Sequence, residues 1–153
     1  MLKDYAVYPS MIRLQSGIIW PYGNSSNYSL FDAMHPLHVA ASQCNNSSFC
    51  LWYISPLWEF NDAMHIKYAF MGESNKWTFV SRQRFHSIET NVEQTQTIIQ
   101  IVGSPSEVVS LTVYHSQLGI KTFDCFLSTT TGQGQLVITP STMTCSDTFL
   151  FVQ

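Results

Sequence analysis

Short runs of β-branched and aromatic residues recur along the chain, and Gly, Pro, Asn or Ser bounds most of them. Such runs are typical of strands, whereas apolar residues at helical spacing are scarce. The pattern predicts strands over residues 5–8, 11–14, 17–20, 38–42, 49–55, 65–71, 77–82, 95–102, 108–115, 120–127, 135–139 and 148–152. Residues 30–34 and 59–64 are each predicted to form a single helical turn. We therefore expect an all-β fold, and the strand count suits an antiparallel β-sandwich of jelly-roll or immunoglobulin-like type.

The C-terminal part of the chain carries the clearest strand pattern. Residues 97–102 and 108–113 are rich in Ile and Val, and Pro105 lies in the turn between them. A proline presets the backbone for such a turn. We expect residues 92–153 to form one antiparallel sheet unit. Because no linker separates this part from the aromatic-rich residues 17–91, we expect a single domain over 1–153.

Length and composition limit the classes of protein that remain. The chain has 153 residues, 45% of them hydrophobic and 14% aromatic, so it can bury a core and is not intrinsically disordered. No apolar run reaches the roughly 18–20 residues that span a bilayer. The 7 basic and 10 acidic residues give a net charge of -3. This charge lacks the basic excess that nucleic-acid binding needs. We therefore expect neither a membrane span nor a nucleic-acid partner.

Charged residues are unusually scarce. They form 11% of the chain, against about 25% in an average soluble domain. A surface of neutral polar and apolar groups promotes self-association unless something covers it. Glycans, further domains of a longer chain or copies of the protein are the candidate covers, and a Ser/Thr-rich β-protein surface without any cover is the alternative.

The chain has four cysteines, Cys44, Cys50, Cys125 and Cys145, which allow three pairings. Cys44 and Cys50 enclose a short polar loop, and Cys125 and Cys145 flank a Gly-containing turn. The spacing favours Cys44–Cys50 and Cys125–Cys145, and four reduced thiols in a cytosolic protein are the alternative. No Cys-x-x-Cys occurs, so we expect no structural metal site.

Four sequons support an oxidising, secretory setting. Each matches the N-x-[ST] acceptor pattern, and the acceptors are Asn24, Asn27, Asn45 and Asn46. We expect glycosylation with one glycan per neighbouring pair, since adjacent sites compete. Residues 1–15 contain no uninterrupted apolar stretch of signal-peptide type. We therefore expect a fragment or module of a longer extracellular chain, and a mature form of the protein is the alternative.

Several segments resemble a known kind of module. They are residues 101–111, the later strand with Cys125 and its Gly132/Gly134 turn, and residues 71–73 with 76–85 upstream. Together they are similar to the C-terminal β-sandwich accessory domains of glycoside hydrolases. The match covers about half of the chain and includes no catalytic motif. The resemblance implies an accessory domain beside a catalytic barrel, which this chain is too short to contain.

Candidate catalytic groups are present but lack a diagnostic arrangement. A glycosidase needs a pair of carboxylates at its active site. The acids that lie nearest to aromatic residues in the sequence are Glu59, Asp62 and Glu73. A metal site needs several acidic or histidine ligands close together. Asp32, His35 and His38 are close in the sequence and are the candidates for such a site. Pro36 opposes a helix that would bring the two imidazoles together, and no G-x-S-x-G motif occurs. We therefore expect no catalytic residue, no metal, no cofactor and no activity of this chain alone.

The aromatic middle of the chain is the best candidate for binding. Four of the 7 basic residues fall within 67–84, among large rings. Sugars stack on such rings while polar groups hold their hydroxyls. The predicted carbohydrate-binding residues are Trp52, Trp58, Tyr68, Trp77, Arg82 and Arg84. The alternative is that these rings fill the core.

Two functions of different kinds follow. The first is a non-catalytic extracellular module that binds carbohydrate or supports a glycosidase-like protein. Its expected partners are a carbohydrate or glycan and other domains of its parent chain. The alternative is a structural or adhesive subunit, whose low-charge surface is covered by copies of itself or by other chains. An independent hydrolase is the third and weakest hypothesis.

Overall fold

The structure is a computed structural model that describes residues 16–37 and 51–147. These ranges contain strands and turns but no helix. The strands are β1 (Gly17–Pro21), β2 (Ser29–Phe31), β3 (Trp52–Pro56), β4 (Trp58–Glu59), β5 (Lys67–Glu73), β6 (Phe85–Thr90), β7 (Thr97–Val102), β8 (Val108–His115), β9 (Gly119–Phe126), β10 (Gln133–Ile138) and β11 (Met143–Ser146). The expectation of an all-β fold is confirmed.

The strands form three antiparallel sheets. Sheet I has the order β2-β1-β3, sheet II the order β4-β5-β8-β9, and sheet III the order β11-β10-β7-β6. The longest ladder joins β8 to β9 and runs from the pair Val108 and Phe126 to the pair His115 and Gly119. The central strands β5, β7, β8 and β10 supply most of the buried residues.

The larger core contains side chains from both sheet II and sheet III. Along β7, Ile99 and Ile101 are buried and alternate with half-buried neighbours, as the period of two in a strand requires. Leu111 and Val113 of β8 belong to the same cluster. The apolar faces of the two sheets therefore share one hydrophobic core.

A second core lies on the other face of sheet II. Ala69 and Met71 alternate along β5 with residues of the larger core, and they pack with Trp20 of β1 and Tyr53 of β3. Sheet II is thus covered on both faces, which explains why β8 is almost continuously buried from Leu111 to His115.

The C-terminal strands do not form the single sheet unit that the sequence predicts. β7 belongs to sheet III and β8 to sheet II, so the turn at 103–106 carries the chain from one sheet to the other. Both strands have buried apolar side chains, which face each other across the core when the strands lie in different sheets. Cys125 of β9 and Cys145 of β11 are paired, with 5.4 Å between their Cα atoms, and join the two sheets.

The predicted strand at 77–82 does not form. This segment is irregular, and Phe79 folds back so that its carbonyl accepts a hydrogen bond of 2.7 Å from the Glu73 amide. The carbonyls of Lys76 and Trp77 each accept a hydrogen bond of 3.1 Å from the Tyr53 hydroxyl. Because a side chain takes these carbonyls, they do not pair with a neighbouring strand. Gly72 permits the close approach, since a Cβ there would collide with the Phe79 carbonyl.

The two predicted helical turns are also wrong. Residues 29–31 pair with β1, and the Asp32 carboxylate then accepts hydrogen bonds from the amides of Met34 and His35 at 2.9 and 2.7 Å. Such side-chain bonds compete with a helix for the backbone. Glu59 belongs to β4, and the turn after it is closed by the Ile66 amide, which donates to Asp62 at 3.0 Å.

Several predictions fall on residues outside the described ranges. They are the strands at 5–8, 11–14, 38–42 and 148–152, the Cys44–Cys50 pair, the sequons at Asn45 and Asn46, and His38. The remaining predicted strands are observed with shifts of a few residues at their ends.

Candidate functional site

The four rings of the predicted aromatic platform differ in their exposure. Trp77 is 67% exposed, whereas Tyr68 is 1% exposed and belongs to the larger core. Trp58 is half-buried and stacks on Tyr68, with ring centroids 5.5 Å apart. Trp52 is half-buried in β3. Of these four rings, Trp77 alone is open to a ligand, and the stacking role expected of Tyr68 does not fit its position.

Trp77 instead has a partner that the sequence analysis missed. The rings of Tyr22 and Trp77 stack with centroids 5.1 Å apart and planes inclined by 28°. Tyr22 is 41% exposed, so both rings of this Tyr22–Trp77 pair are accessible. Tyr22 comes directly after β1, and Trp77 lies in the irregular segment after β5. Their contact joins sheet I to sheet II.

Tyr22 of this pair lines a cavity of about 210 Å³ with aromatic walls. Trp20, Tyr53 and Phe79 line it, and Tyr22 closes one side. The ring centroids of Tyr53 and Phe79 are 4.7 Å apart, and those of Trp20 and Phe79 are 5.2 Å apart. Burial raises the pKa of the Tyr53 hydroxyl, which donates to two backbone carbonyls. The aromatic wall is therefore uncharged at neutral pH.

The rim of this cavity is polar. Lys76 and Glu73 face each other across 3.7 Å. The Ser74 hydroxyl lies 2.8 Å from that of Thr112, which in turn lies 3.1 Å from the Thr122 hydroxyl. Asn24, Ser25 and Asn75 also line the cavity. An apolar wall with a few hydrogen-bonding groups is the composition typical of a small-molecule site.

Trp77 lines a second, open groove of about 650 Å³. Glu73, Lys76 and Trp77 contribute to this groove, and Glu73 and Lys76 line the cavity as well. The loop at 74–78 therefore borders both concave surfaces, and Trp77 lines the groove but not the cavity.

Arg84, which was predicted to bind ligand, is engaged within the protein. Its Nε donates to Glu73 at 3.0 Å, and its guanidinium donates to both carboxylate oxygens of Glu107, at 2.6 and 3.0 Å. The hydrogen bonds from Arg84 lower the pKa of Glu107 to about 2. Its Nη1 also donates to the Val102 carbonyl at 3.0 Å. Arg84 thus holds sheets II and III together at the floor of the open groove, while Arg82 is exposed.

The candidate catalytic acids have other partners. Glu59 lies 2.7 Å from His65 and 3.9 Å from Lys67, Asp62 caps a turn, and Glu73 binds Arg84. Each of these three carboxylates therefore has a structural partner within the protein.

The histidines give no metal site in the part of the chain that the structure describes. Asp32 and His35 form an exposed pair at 3.1 Å, and no three His, Cys, Asp or Glu side chains within 16–37 and 51–147 are grouped to hold a metal ion. His115 is buried, and its Nε2 donates to the Pro140 carbonyl at 3.0 Å while its Nδ1 accepts from the amides of Gln117 and Leu118.

The first pair of sequons lies in the turn that follows Tyr22. Asn24 and Asn27 are exposed in the turn between β1 and β2, and the Asn24 amide donates to the Pro21 carbonyl at 3.2 Å. Asn24 also lines the cavity, two residues from Tyr22. Glycosylation at these residues remains a prediction.

The chain matches no family model, and comparison with curated proteins and with solved structures finds no similar protein. The resemblance to glycosidase accessory domains therefore rests on the sequence segments alone. No helix within the described ranges is long and apolar enough to cross a membrane.

Proposed function

We propose that this chain is a non-catalytic extracellular β-sandwich module that binds carbohydrate at the Tyr22–Trp77 pair. The sandwich consists of sheets II and III, whose apolar faces share the larger core. The observation that carries the function is the exposed Tyr22–Trp77 stack, whose Tyr22 ring lines a cavity with aromatic walls and hydrogen-bonding groups. The paired cysteines and the exposed sequons support the extracellular setting.

The geometry suits a sugar better than a purely apolar ligand. A pyranose ring has an apolar C–H face that stacks on an indole or phenol ring, and its hydroxyls need hydrogen-bonding groups beside that ring. Trp77 supplies the exposed ring, and Lys76, Ser74 and Asn75 supply neighbouring polar groups. At about 210 Å³ the cavity holds one sugar ring. Further residues of a glycan chain would lie along the open groove.

A glycan array tests the proposal with a matched control. Trp77 and Phe126 are equally exposed, at 67% and 68%, but Phe126 lies on β9, away from both concave surfaces. Trp77→Ala should lose about 1–3 kcal/mol of binding free energy, the range found when bases stack on aromatic side chains. Phe126→Ala should bind like the wild type. Absence of binding by correctly folded, unglycosylated wild-type protein would refute the proposal.

One observation favours the alternative of a structural or adhesive subunit. Phe126 of the edge strand β9 pairs in register with Val108, which is 47% exposed. The two side chains form an exposed apolar pair at the edge of sheet II. Exposed edge strands with apolar side chains are sites of strand pairing between chains. Concentration-dependent oligomers that disappear in Phe126→Lys, without any carbohydrate binding, would favour this function.

A further inference from the structure

We infer that an N-linked glycan on Asn24 packs its first sugar against the Tyr22–Trp77 pair and covers the cavity that Asn24 and Tyr22 line. The inference shares the extracellular setting of the proposed function, but it does not require the site to bind a free carbohydrate. It assigns a ligand to the aromatic pair from within the glycoprotein itself.

The turn presents Asn24 for modification. Asn24 is exposed in the sequon Asn24-Ser25-Ser26, and the preceding Gly23 has a positive φ of 76°. A Cβ built at Gly23 would find nothing within 4 Å, so the space around this turn is open. In the transfer, the Asn24 Nδ2 forms a bond to the anomeric carbon of a lipid-linked oligosaccharide. The bond from that carbon to the lipid pyrophosphate breaks, and one amide proton leaves.

The attached sugar would begin beside the aromatic pair. Asn24 and Tyr22 line the same cavity, and Tyr22 stacks on Trp77 with centroids 5.1 Å apart. A sugar joined to Asn24 therefore begins beside the accessible Tyr22 ring, on which Trp77 stacks. Because it is tethered, its effective concentration at the rings is roughly millimolar, so that even weak stacking is populated.

Asn27 does not have the same environment. It is exposed in the same turn, but it does not line the cavity. The next residue, Tyr28, contacts Tyr114 with ring centroids 5.3 Å apart, on another part of sheet II. Asn27 is therefore the matched control for a glycan near the site but not on it.

Two consequences follow for the protein. A glycan seated on the rings would stabilise the contact between sheet I and sheet II, since Tyr22 belongs to one and Trp77 follows a strand of the other. It would also compete with free carbohydrate for the same surface. Binding of a free ligand would then depend on whether Asn24 is modified.

The first measurement is site occupancy in protein secreted from a eukaryotic cell culture. Removal of glycans by an amidase in heavy-oxygen water converts each modified Asn to a labelled Asp, which peptide mapping locates. We expect the label at Asn24. An unmodified Asn24 in the folded, secreted protein would overturn the inference.

The second measurement tests the contact. An endoglycosidase that leaves one GlcNAc on Asn24 gives a uniform sample, and the Trp77 indole N–H signal is assigned with Trp77→Phe. The signal should differ between the GlcNAc form and protein that was never glycosylated, in which Asn24 is intact, and Asn27→Gln should leave that difference unchanged. Identical Trp77 signals in the two forms would overturn the contact.

The third measurement is the melting temperature. We expect the Asn24 glycan to raise Tm by about 2–4 °C, the shift that a modest stabilisation produces in a domain of this size. In a Trp77→Ala background the gain should vanish, whereas an equal gain in both backgrounds would contradict the inference. Binding of free carbohydrate by unglycosylated protein tests the proposed function alone. The proposed function and the inference about the Asn24 glycan can therefore fail separately.

Discussion

The guanidinium of Arg84 binds both carboxylate oxygens of Glu107, with Nη2 2.6 Å from Oε1 and Nη1 3.0 Å from Oε2. Arg84 comes just before β6 in sheet III, and Glu107 just before β8 in sheet II. The geometry is bidentate and partly buried, which makes it stronger than an ordinary surface ion pair.

Removal of Arg84 should therefore weaken folding. Arg84→Ala leaves Glu107 and Glu73 without their shared partner, and we expect a loss of about 2–4 kcal/mol in the free energy of unfolding. Urea denaturation measures it, with the exposed Lys121→Ala as the control, which should change by less than about 0.5 kcal/mol. Equal stability of both variants would contradict the structural role of Arg84.

The same ion pair predicts a pH dependence. Arg84 lowers the pKa of Glu107 to about 2 from its ordinary value of 4.5. Between these values the unfolded chain binds the proton and the folded chain does not, so stability falls as the pH falls from about 5 to about 2. Glu107→Gln should be less stable at neutral pH and should lose less stability on acidification. Parallel curves for the wild type and Glu107→Gln would contradict this assignment.

Removal of the disulfide between sheets II and III should also lower the free energy of unfolding. Cys125 and Cys145 are separated by 20 residues, and closure of such a loop contributes about 2–4 kcal/mol. The double substitution to Ala should lower stability by that amount, as measured by denaturant unfolding. We expect a smaller loss from the double substitution of Cys44 and Cys50, whose predicted loop is shorter. The reverse order would be inconsistent with this account.

Tyr68 and Trp77 should respond in opposite ways to truncation. Tyr68 is buried among Phe60 and Trp58 and shares a hydrogen bond with Thr97, so Tyr68→Ala should cost about 3–5 kcal/mol of stability. Trp77→Ala removes an exposed ring, so we expect little change in stability and a loss of carbohydrate binding. Thermal unfolding and binding assays on both variants separate the two roles. A strongly destabilised Trp77→Ala would place this ring in the fold rather than in the site.

The sequence predicts the central strands better than the edges of the sheets. β5, β7, β8 and β10 have buried apolar residues over most of their length, and the apolar runs locate them. The strands that the pattern missed, β2, β4, β6 and β11, all lie at sheet edges and carry more exposed side chains. An edge strand forms because it can hydrogen-bond to a neighbouring strand, and its own composition does not reveal that neighbour.

The candidate site could be predicted only in part. Trp77 follows from its aromatic and basic surroundings, but Tyr22 lies far away in the sequence and meets it only after sheets I and II pack together. Burial of Tyr68 and the pairing of Arg84 with Glu107 are likewise consequences of tertiary contacts. The segment at 77–82 is irregular although its composition is typical of a strand. Gly72 allows the Phe79 carbonyl to approach closely, and the Tyr53 hydroxyl donates a hydrogen bond to the Trp77 carbonyl. Local patterns do not contain these long-range contacts.

The central claim is that the Tyr22–Trp77 pair binds a sugar ring. The most direct measurement is a titration of unglycosylated protein with a panel of neutral disaccharides, followed through the indole N–H signals of its four tryptophans. We predict that at least one disaccharide shifts the Trp77 signal in a saturable manner and that Tyr22→Ala weakens the response. A shift confined to other tryptophans, or no shift with any disaccharide, would contradict the claim.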